Sequence, residues 1–361
     1  MITALASVAI RLHALLVKEF LQLLRDPRMR FFLIAPPVLQ VLLFGYAATF
    51  DVRHADVAVI DRDGGPQARE LRAAITSSGH YTLHAFTSMR EAAAAMDRGE
   101  VRVILQIPES LARAGVVQLL ADGSDPNSAQ LIVGQLSRIV REQAQRMAGV
   151  APPVTVEERA WFNPNLEDRW YFIPGVIANI VFTSTMMLTA MAVVREREHG
   201  TLERLLVTPV ARLEFLVGKM IPVASLGLVE VLLITGVAVG WFEVPFRGDL
   251  SALVAASLIL LASTQGLGLI ASSYSSTQQQ AMLTAIFFIM PMVILSGFAF
   301  PIRNMPAGVQ LLTWFDPLRY YLVIVRDLFL KGGGIASHPF EYAMMGLLGV
   351  ATILFSALKL R

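Results

Sequence analysis

Six apolar stretches of about 20 residues follow one another along this chain, and only one of them contains a charged residue. A helix of that length can cross a hydrocarbon core of roughly 30 Å. The stretches therefore predict a polytopic α-helical membrane protein with six transmembrane helices. We place these spans at Phe31–Phe50, Phe172–Val194, Met220–Trp241, Leu250–Ala271, Gln280–Gly297 and Tyr342–Leu358.

The composition agrees with a chain that is mostly surrounded by lipid. Of its 361 residues, 55% are hydrophobic and 16% are charged, whereas soluble domains carry roughly 25% charged residues. The formal net charge of +2 is spread along the flanks of the apolar stretches, so no basic arm for nucleic acid is present. The absence of cysteine excludes a disulfide framework and a thiol nucleophile.

Basic residues next to the spans predict the orientation, because lysine and arginine are retained on the cytoplasmic side. They are frequent before the first span, between the second and third spans, and after the sixth span. We therefore expect both termini in the cytoplasm. The basic residues ahead of the first span favour a retained anchor over a cleaved signal peptide, which stays the minor alternative.

Residues 1–30 contain an amphipathic pattern. Leu12, Leu15, Leu16, Phe20 and Leu23 recur at helical spacing, with polar residues on the other face. This predicts a cytoplasmic interfacial helix that ends at Asp26-Pro27. A cytosolic helix packed on a partner would show the same pattern, so both interpretations stay open.

Residues 51–169 change to the pattern of a water-soluble α/β domain, which the topology places outside the cytoplasm, in the periplasm. Short β-branched runs predict strands near residues 57–60, 101–107 and 116–120. Polar helical patterns predict helices near residues 67–77, 88–98 and 127–147.

The sequence contains no recognisable catalytic motif and no recognisable metal-binding motif. No Gly-x-x-x-x-Gly-Lys-Ser/Thr sequence occurs, so we expect no ATP hydrolysis by this chain itself. Glu230 is the one acid deep inside an apolar span, where an ionisable group is costly unless it faces a partner or a wet cavity. It lines a pathway or a subunit interface, or it is a protonated or hydrogen-bonded structural group, and both interpretations stay open.

The segment from Arg195 to Pro209, Arg-Glu-Arg-Glu-His-Gly-Thr-Leu-Glu-Arg-Leu-Leu-Val-Thr-Pro, resembles the cytoplasmic loop of ABC-2-type exporter permeases. Glu-x-Gly-Thr-x-Glu-x-Leu-x-x-Thr-Pro recurs in that family. The resemblance implies that this coupling loop, residues 195–219, contacts a separate ATPase. It assigns coupling roles to Glu196, Glu198, Gly200, Thr201, Glu203, Leu205, Thr208 and Pro209.

Further stretches are similar to the same family, so the resemblance covers nearly the whole chain. One is the interfacial helix, with Lys18, Glu19, Arg25, Asp26 and Pro27. Another is residues 298–337, for which the family implies an outer re-entrant segment before the last span. Ser296-Gly297 and Pro301 break an apolar run, which favours a pathway lining or an interfacial amphipathic segment. The pathway or interface candidates are Glu230, Asn179, Ser296, Gly297, Pro301 and Pro317.

The large domain after the first span is similar to that of bacterial multidrug efflux permeases. The resemblance implies export of a drug-like, lipid-like or cationic compound. It also implies an ATP-binding subunit that holds ATP and magnesium, a second permease subunit and in some cases a periplasmic adaptor, with no cofactor on this chain. A membrane-anchored sensor or assembly protein that uses its outer α/β domain for binding is the competing class.

Overall fold

The computed structural model describes residues 2–25, 27–47, 55–109, 111, 116–124, 126–148, 161–164, 167–198, 200 and 212–359. The chain forms two compact units. Residues 1–48 and 161–361 form the first, which we call the membrane unit, and residues 49–160 form the second, which we call the sheet unit.

Helices make up the membrane unit, and five of those described are long and apolar enough to cross a membrane. They correspond to the second to sixth predicted spans. In chain order the helices are α1 (Ile2–Arg25) and α2 (Pro27–Ala47), then, after the sheet unit, α6 (Asp168–Glu198), α7 (Arg212–Gly240), α8 (Leu250–Ser273), α9 (Gln278–Leu295), α10 (Ala307–Leu312), α11 (Pro317–Leu330) and α12 (Pro339–Lys359).

Most of the first predicted span lies in α2, which contains the neighbouring prolines Pro36 and Pro37. The helix continues through both prolines, from Pro27 to Ala47. Among its described side chains, Ala35–Tyr46 form an apolar helical stretch.

Small residues bring α6, α8 and α12 into close contact at the centre of the membrane unit. A Cβ atom on Gly268 of α8 would lie 2.9 Å from the Met186 carbonyl oxygen of α6. A Cβ atom on Gly349 of α12 would lie 2.7 Å from the Ser263 hydroxyl of α8. Helices in lipid associate through such close backbone packing, because burial of apolar side chains away from water is no longer the driving force.

An irregular segment joins α9 to α12. The helix α9 ends at Leu295, and Gly297 follows with a φ of 86°, a backbone conformation that favours glycine. Two short 3-10 turns and α10 lead to α11, which begins at Pro317 and is capped by the Asp316 carboxylate, the acceptor for Leu318 N at 2.9 Å. The predicted interruption at Ser296-Gly297 is thus present as a helix end.

The sheet unit contains four strands: β1 (Ala55–Asp61), β2 (Tyr81–Ala85), β3 (Val103–Ile107) and β4 (Gln118–Ala121). Their order is β2-β1-β3-β4, with β1 parallel to β2 and β3, and β4 antiparallel to β3. The helices α3 (Pro66–Ser77), α4 (Met89–Asp97) and α5 (Pro126–Ala148) accompany the sheet. The three predicted strands and three predicted helices all appear, and β2 is an additional strand.

Both faces of β1 and β3 are buried, which explains their nearly continuous apolar sequences. On one face Val57, Val59 and Leu105 pack with α3 and α5, and on the other face Ala58 and Ile104 pack with α4. Tyr81 of β2 donates a hydrogen bond to Gln135 of α5 at 2.5 Å. Burial raises the pKa of Tyr81, because its ionised form loses solvation.

Candidate coupling site

The two helices that flank the predicted coupling loop are described, whereas most of the loop is not. Glu196 and Glu198 belong to the last turn of α6, and Gly200 follows with a φ of 64° that favours glycine. The helix α7 begins at Arg212. The remaining predicted loop residues lie outside the described residues, namely Thr201, Glu203, Leu205, Thr208 and Pro209.

Four charged side chains meet where α6 ends and α7 begins, and we call Lys18, Glu19, Glu196 and Lys219 the charge cluster. Lys219 Nζ lies 2.8 Å from Glu19 Oε1 and 2.7 Å from Glu196 Oε1. The Lys219 side chain is 5% exposed, and both carboxylates are also buried. A buried ammonium is tolerated when carboxylates neutralise it, so this lysine joins α1, α6 and α7 at one point.

Lys18 completes the charge cluster from its solvent side. Its Nζ lies 3.1 Å from Glu196 Oε1 and 3.4 Å from Glu19 Oε1, and its side chain is 47% exposed. Burial by itself lowers the pKa of Lys18, but the hydrogen bond to Glu196 and the two carboxylate charges outweigh it, so the pKa is raised. Lys18 therefore stays charged and adds a second, weaker contact between α1 and α6.

A second contact extends the same arrangement toward the start of α1. Arg11 Nε and Nη2 donate to the two Glu214 carboxylate oxygens at 3.1 and 2.9 Å. Between this pair and the charge cluster, Gly218 of α7 lies against Leu15 of α1, where a Cβ atom would meet Leu15 Cδ2 at 2.1 Å. One face of α1 is thus packed along the first turns of α7.

These contacts refine the prediction for the amphipathic helix. The apolar residues Leu12, Leu15 and Leu16 of the predicted lipid face are partly buried, and α1 packs against α7 of the same chain. Ile10, Val17 and Leu21 form a separate exposed apolar stripe at helical spacing. The polar residues Arg11, Lys18 and Glu19 bind other helices, whereas Arg25 is exposed at the end of α1, Asp26 lies outside the described residues and Pro27 begins α2.

The loop between α8 and α9 also reaches the end of α6. Glu198 accepts hydrogen bonds from the backbone N of Gln278, at 2.7 Å, and from its side-chain amide. Arg197 Nη1 donates to the Ser275 carbonyl oxygen at 2.7 Å. The sequence analysis does not predict these contacts, for which the charged residues in the last turn of α6 were the available signal.

Glu230 lies away from the charge cluster, inside the membrane unit. Its residue is 3% exposed, and its Oε2 accepts a hydrogen bond of 2.7 Å from Ser184 of α6. The exposed apolar side of α7 carries Val229 and Leu232 instead. Glu230 thus faces α6 of its own chain.

The other predicted pathway candidates lie in α6 and in the irregular segment after α9. Ser296 donates to the Val293 carbonyl oxygen at 2.8 Å, and Pro301 and Pro317 each precede or begin a helical turn of the irregular segment. Gly297 supplies a carbonyl oxygen to Arg326 of α11. The Asn179 amide oxygen is buried and has no hydrogen-bond partner among the described residues.

The fold and these polar contacts define a multi-pass helical membrane protein with a separate α/β unit. The family of ABC-2 transporter proteins matches residues 27–358. The chain therefore belongs to the ABC-2 family and is a transmembrane permease of the ABC type.

Relatives with similar names support this assignment over almost the full length. The probable multidrug ABC transporter permease YbhR of Escherichia coli K12 is 33% identical over 335 residues, which cover 90% of this chain and 91% of YbhR. The probable multidrug ABC transporter permease YbhS of the same strain is 34% identical over 337 residues, 89% of each chain. The inner membrane transport permease YhhJ, also of that strain, is 25% identical over 361 residues, 96% of this chain and 95% of YhhJ.

Proposed function

We propose that this permease exports an amphiphilic compound by coupling its membrane unit to a separate ATPase through residues 195–219. The observation that carries the proposal is the charge cluster, in which Lys219 joins the end of α6, the start of α7 and α1. These two helices flank the loop, so a force applied to the loop reaches three helices through buried ion pairs. A packed and paired junction transmits such a movement as a rigid body.

The proposed topology has six spans, with α2 containing the first, and both termini in the cytoplasm. The charge cluster then lies on the cytoplasmic side, and the sheet unit lies outside the cytoplasm. The segment between α9 and α12 is an outer re-entrant segment. Basic residues around the charge cluster support this orientation, because they are retained on the cytoplasmic side.

The proposed complex contains two permease subunits and an ATP-binding subunit, which holds ATP and magnesium. This chain supplies no catalytic residue for ATP hydrolysis. The names of YbhR and YbhS favour a drug-like substrate, and that of YhhJ favours the bacterial inner membrane. A periplasmic adaptor that binds the sheet unit would extend the export path beyond this membrane.

Deletion of residues 201–209 tests the coupling role in the complete complex, reconstituted with its ATPase in proteoliposomes. We expect ATP hydrolysis to continue while export of a fluorescent amphiphile, such as ethidium, falls to background.

Within the loop, Glu203→Gln should lower export more than it lowers ATP hydrolysis. Glu243→Gln is the matched control, because Glu243 is an exposed acid in the connection between α7 and α8. Export that survives the deletion would refute the proposal.

A further inference from the structure

Arg326 of α11 is a partly buried cation, with Nε and Nη2 fully buried, at the end of the membrane unit opposite to the charge cluster. Its guanidinium carbon lies 4.0 Å from the centre of the Tyr171 ring, in the first turn of α6. Its Nη1 donates a long hydrogen bond of 3.4 Å to the Gly297 carbonyl oxygen, just after α9. A Cβ atom on Gly175 of α6 would lie 3.5 Å from Arg326 Nη2 and 2.7 Å from the Phe298 ring.

The remaining donors of this guanidinium have no acceptor within the described ranges. Arg326 Nε and Nη2 are buried and make no hydrogen bond there. No carboxylate among the same residues forms an ion pair with Arg326, whereas Lys219 has two carboxylates within 2.8 Å. The buried positive charge is therefore neutralised by nothing that the described part of the chain supplies.

The Tyr171 ring compensates for only part of this cost. An aromatic face attracts a cation, but it accepts no ordinary hydrogen bond from the N–H groups in the plane of the guanidinium. Buried polar groups are normally hydrogen-bonded, and a buried charge is normally paired. Arginine stays protonated at any pH that proteins tolerate, so it cannot avoid the cost by losing its charge.

We propose that Arg326 binds the oxyanion of an amphiphile, a phosphate or a carboxylate. A guanidinium fork matches two oxygens of such a group, which would satisfy Nε and Nη2 together. The neighbours Phe298 and Tyr171 suit the apolar part of the same molecule, and Tyr171 is 40% exposed, which leaves a route to the site. This inference rests on the proposed function, because it identifies the amphiphile bound at Arg326 as the compound that the permease exports.

Binding to the intact complex of permease and ATPase tests the site directly. The complex is placed in nanodiscs of phosphatidylcholine, and binding of radiolabelled dodecyl phosphate, dodecanoate and dodecyltrimethylammonium is measured. We expect both anions to bind at least about tenfold more tightly than the cation, as hydrogen bonds to charged groups imply. Arg326→Gln should remove this preference, and Arg303→Gln should keep it, because Arg303 is an exposed arginine of the same segment.

If the Arg326→Gln variant does not assemble with the ATPase, the Arg326→Lys variant provides a second test of the site. Lysine keeps the charge but loses the fork, so we expect the affinity for dodecyl phosphate to fall about tenfold while some preference for anions remains. Equal binding of anions and cation by the unsubstituted complex would overturn the proposal. Anion binding that is unchanged in both Arg326 variants would overturn it as well.

Two further measurements test where the bound anion comes from and whether the permease transports it. Phosphatidylglycerol in the nanodiscs should displace dodecyl phosphate if a bilayer lipid occupies the site, and should not if the site selects a freely diffusing amphiphile. Either result agrees with an oxyanion at Arg326. Stimulation of ATP hydrolysis by the same anions identifies them as cargo. Binding without stimulation leaves the site in place and contradicts the proposed export of these compounds.

Discussion

Each end of the membrane unit contains a positively charged side chain that is largely shielded from solvent, but the described residues pair only one of the two with carboxylates. At the end where α6 meets α7, Lys219 is held by Glu19 and Glu196. At the other end, Arg326 has an aromatic ring, one long bond to a carbonyl oxygen and no carboxylate partner among the described residues. Both cations are largely withdrawn from solvent, yet among the described residues only Lys219 is paired with carboxylates.

This difference teaches what each end is suited to do. A charge that is paired inside the chain fixes the relative positions of the helices that carry the pair, which suits transmission of force. A charge that is left for an external partner is costly until that partner arrives, which suits binding. The difference therefore supports the two proposals, in which the Lys219 end transmits force and the Arg326 end binds an oxyanion.

Substitution of Lys219 should have the largest effect on stability of the variants that test this difference between the two ends. Lys219→Met removes the buried ammonium that lies within 2.8 Å of Glu19 and Glu196, while both carboxylates stay buried, so we expect a loss of about 3 kcal/mol in the free energy of unfolding. An SDS-unfolding titration of the detergent-solubilised complex measures this loss. The single substitution also tests whether α1 detaches, because protease cleavage near residue 26 should become faster.

Lys18→Met is the matched control for that experiment. Lys18 contacts the same two carboxylates from the solvent side, and its side chain is 47% exposed, so its removal should cost at most about 1 kcal/mol. If both variants lost the same stability, burial would not distinguish the two lysines. The contrast between a permanently paired end and an open end would then fail.

Gly175 tests the opposite end with a smaller expected effect. In Gly175→Ala the new methyl group would lie 2.7 Å from the Phe298 ring, so the ring must move. We expect a loss of about 1–3 kcal/mol in the same titration, as for other overpacked sites. Because Phe298 and Arg326 both lie against Gly175, binding of dodecyl phosphate should weaken as well.

Gly236→Ala provides the comparison for Gly175→Ala. Gly236 is exposed on α7, and a Cβ atom there would meet nothing within 4 Å. Alanine is the better helix former by roughly 0.5–1 kcal/mol, so stability should stay the same or rise slightly. Unchanged stability in Gly175→Ala would show that the contact between α6 and Phe298 is loose and would remove the packing argument for a defined site at Arg326.

Much of the fold was predictable, because apolar length and alternating patterns report local structure. The five long helices and three of the four strands follow from these patterns. The strand β2 was less evident, since its sequence Tyr-Thr-Leu-His-Ala has a buried pattern only at its first residue. The first span was placed from composition alone, and most of it lies in α2.

The site was predictable only where a single segment carried it. Lys18, Glu19 and Glu196 were singled out, but their meeting with Lys219 joins three helices, and no pattern in one sequence pairs residues so far apart. Arg326 lies four residues after Leu322 and three before Phe329, both buried, so helical periodicity places it on the packed side of α11. Its missing partner is visible only in three dimensions.

The ion pair between Arg11 and Glu214 also holds α1 against α7, and its substitution should have the smallest effect on stability of the variants considered. Arg11→Lys keeps the charge but replaces a two-point contact with one point, so the complex should unfold at a slightly lower SDS concentration, by less than for Lys219→Met. The two residues are 203 positions apart, so the effect reports on packing of α1 against α7.

Salt distinguishes this outer pair from the charge cluster. The Arg11 side chain is 28% exposed, and screening shortens the reach of exposed charges from about 10 Å at 0.1 M salt to about 3 Å at 1 M. The difference between the unsubstituted complex and Arg11→Lys should therefore shrink as sodium chloride rises. The loss in Lys219→Met should persist, because buried pairs are screened much less. Equal salt sensitivity of both losses would mean that water reaches Lys219, and the coupling end would then be held by surface charges alone.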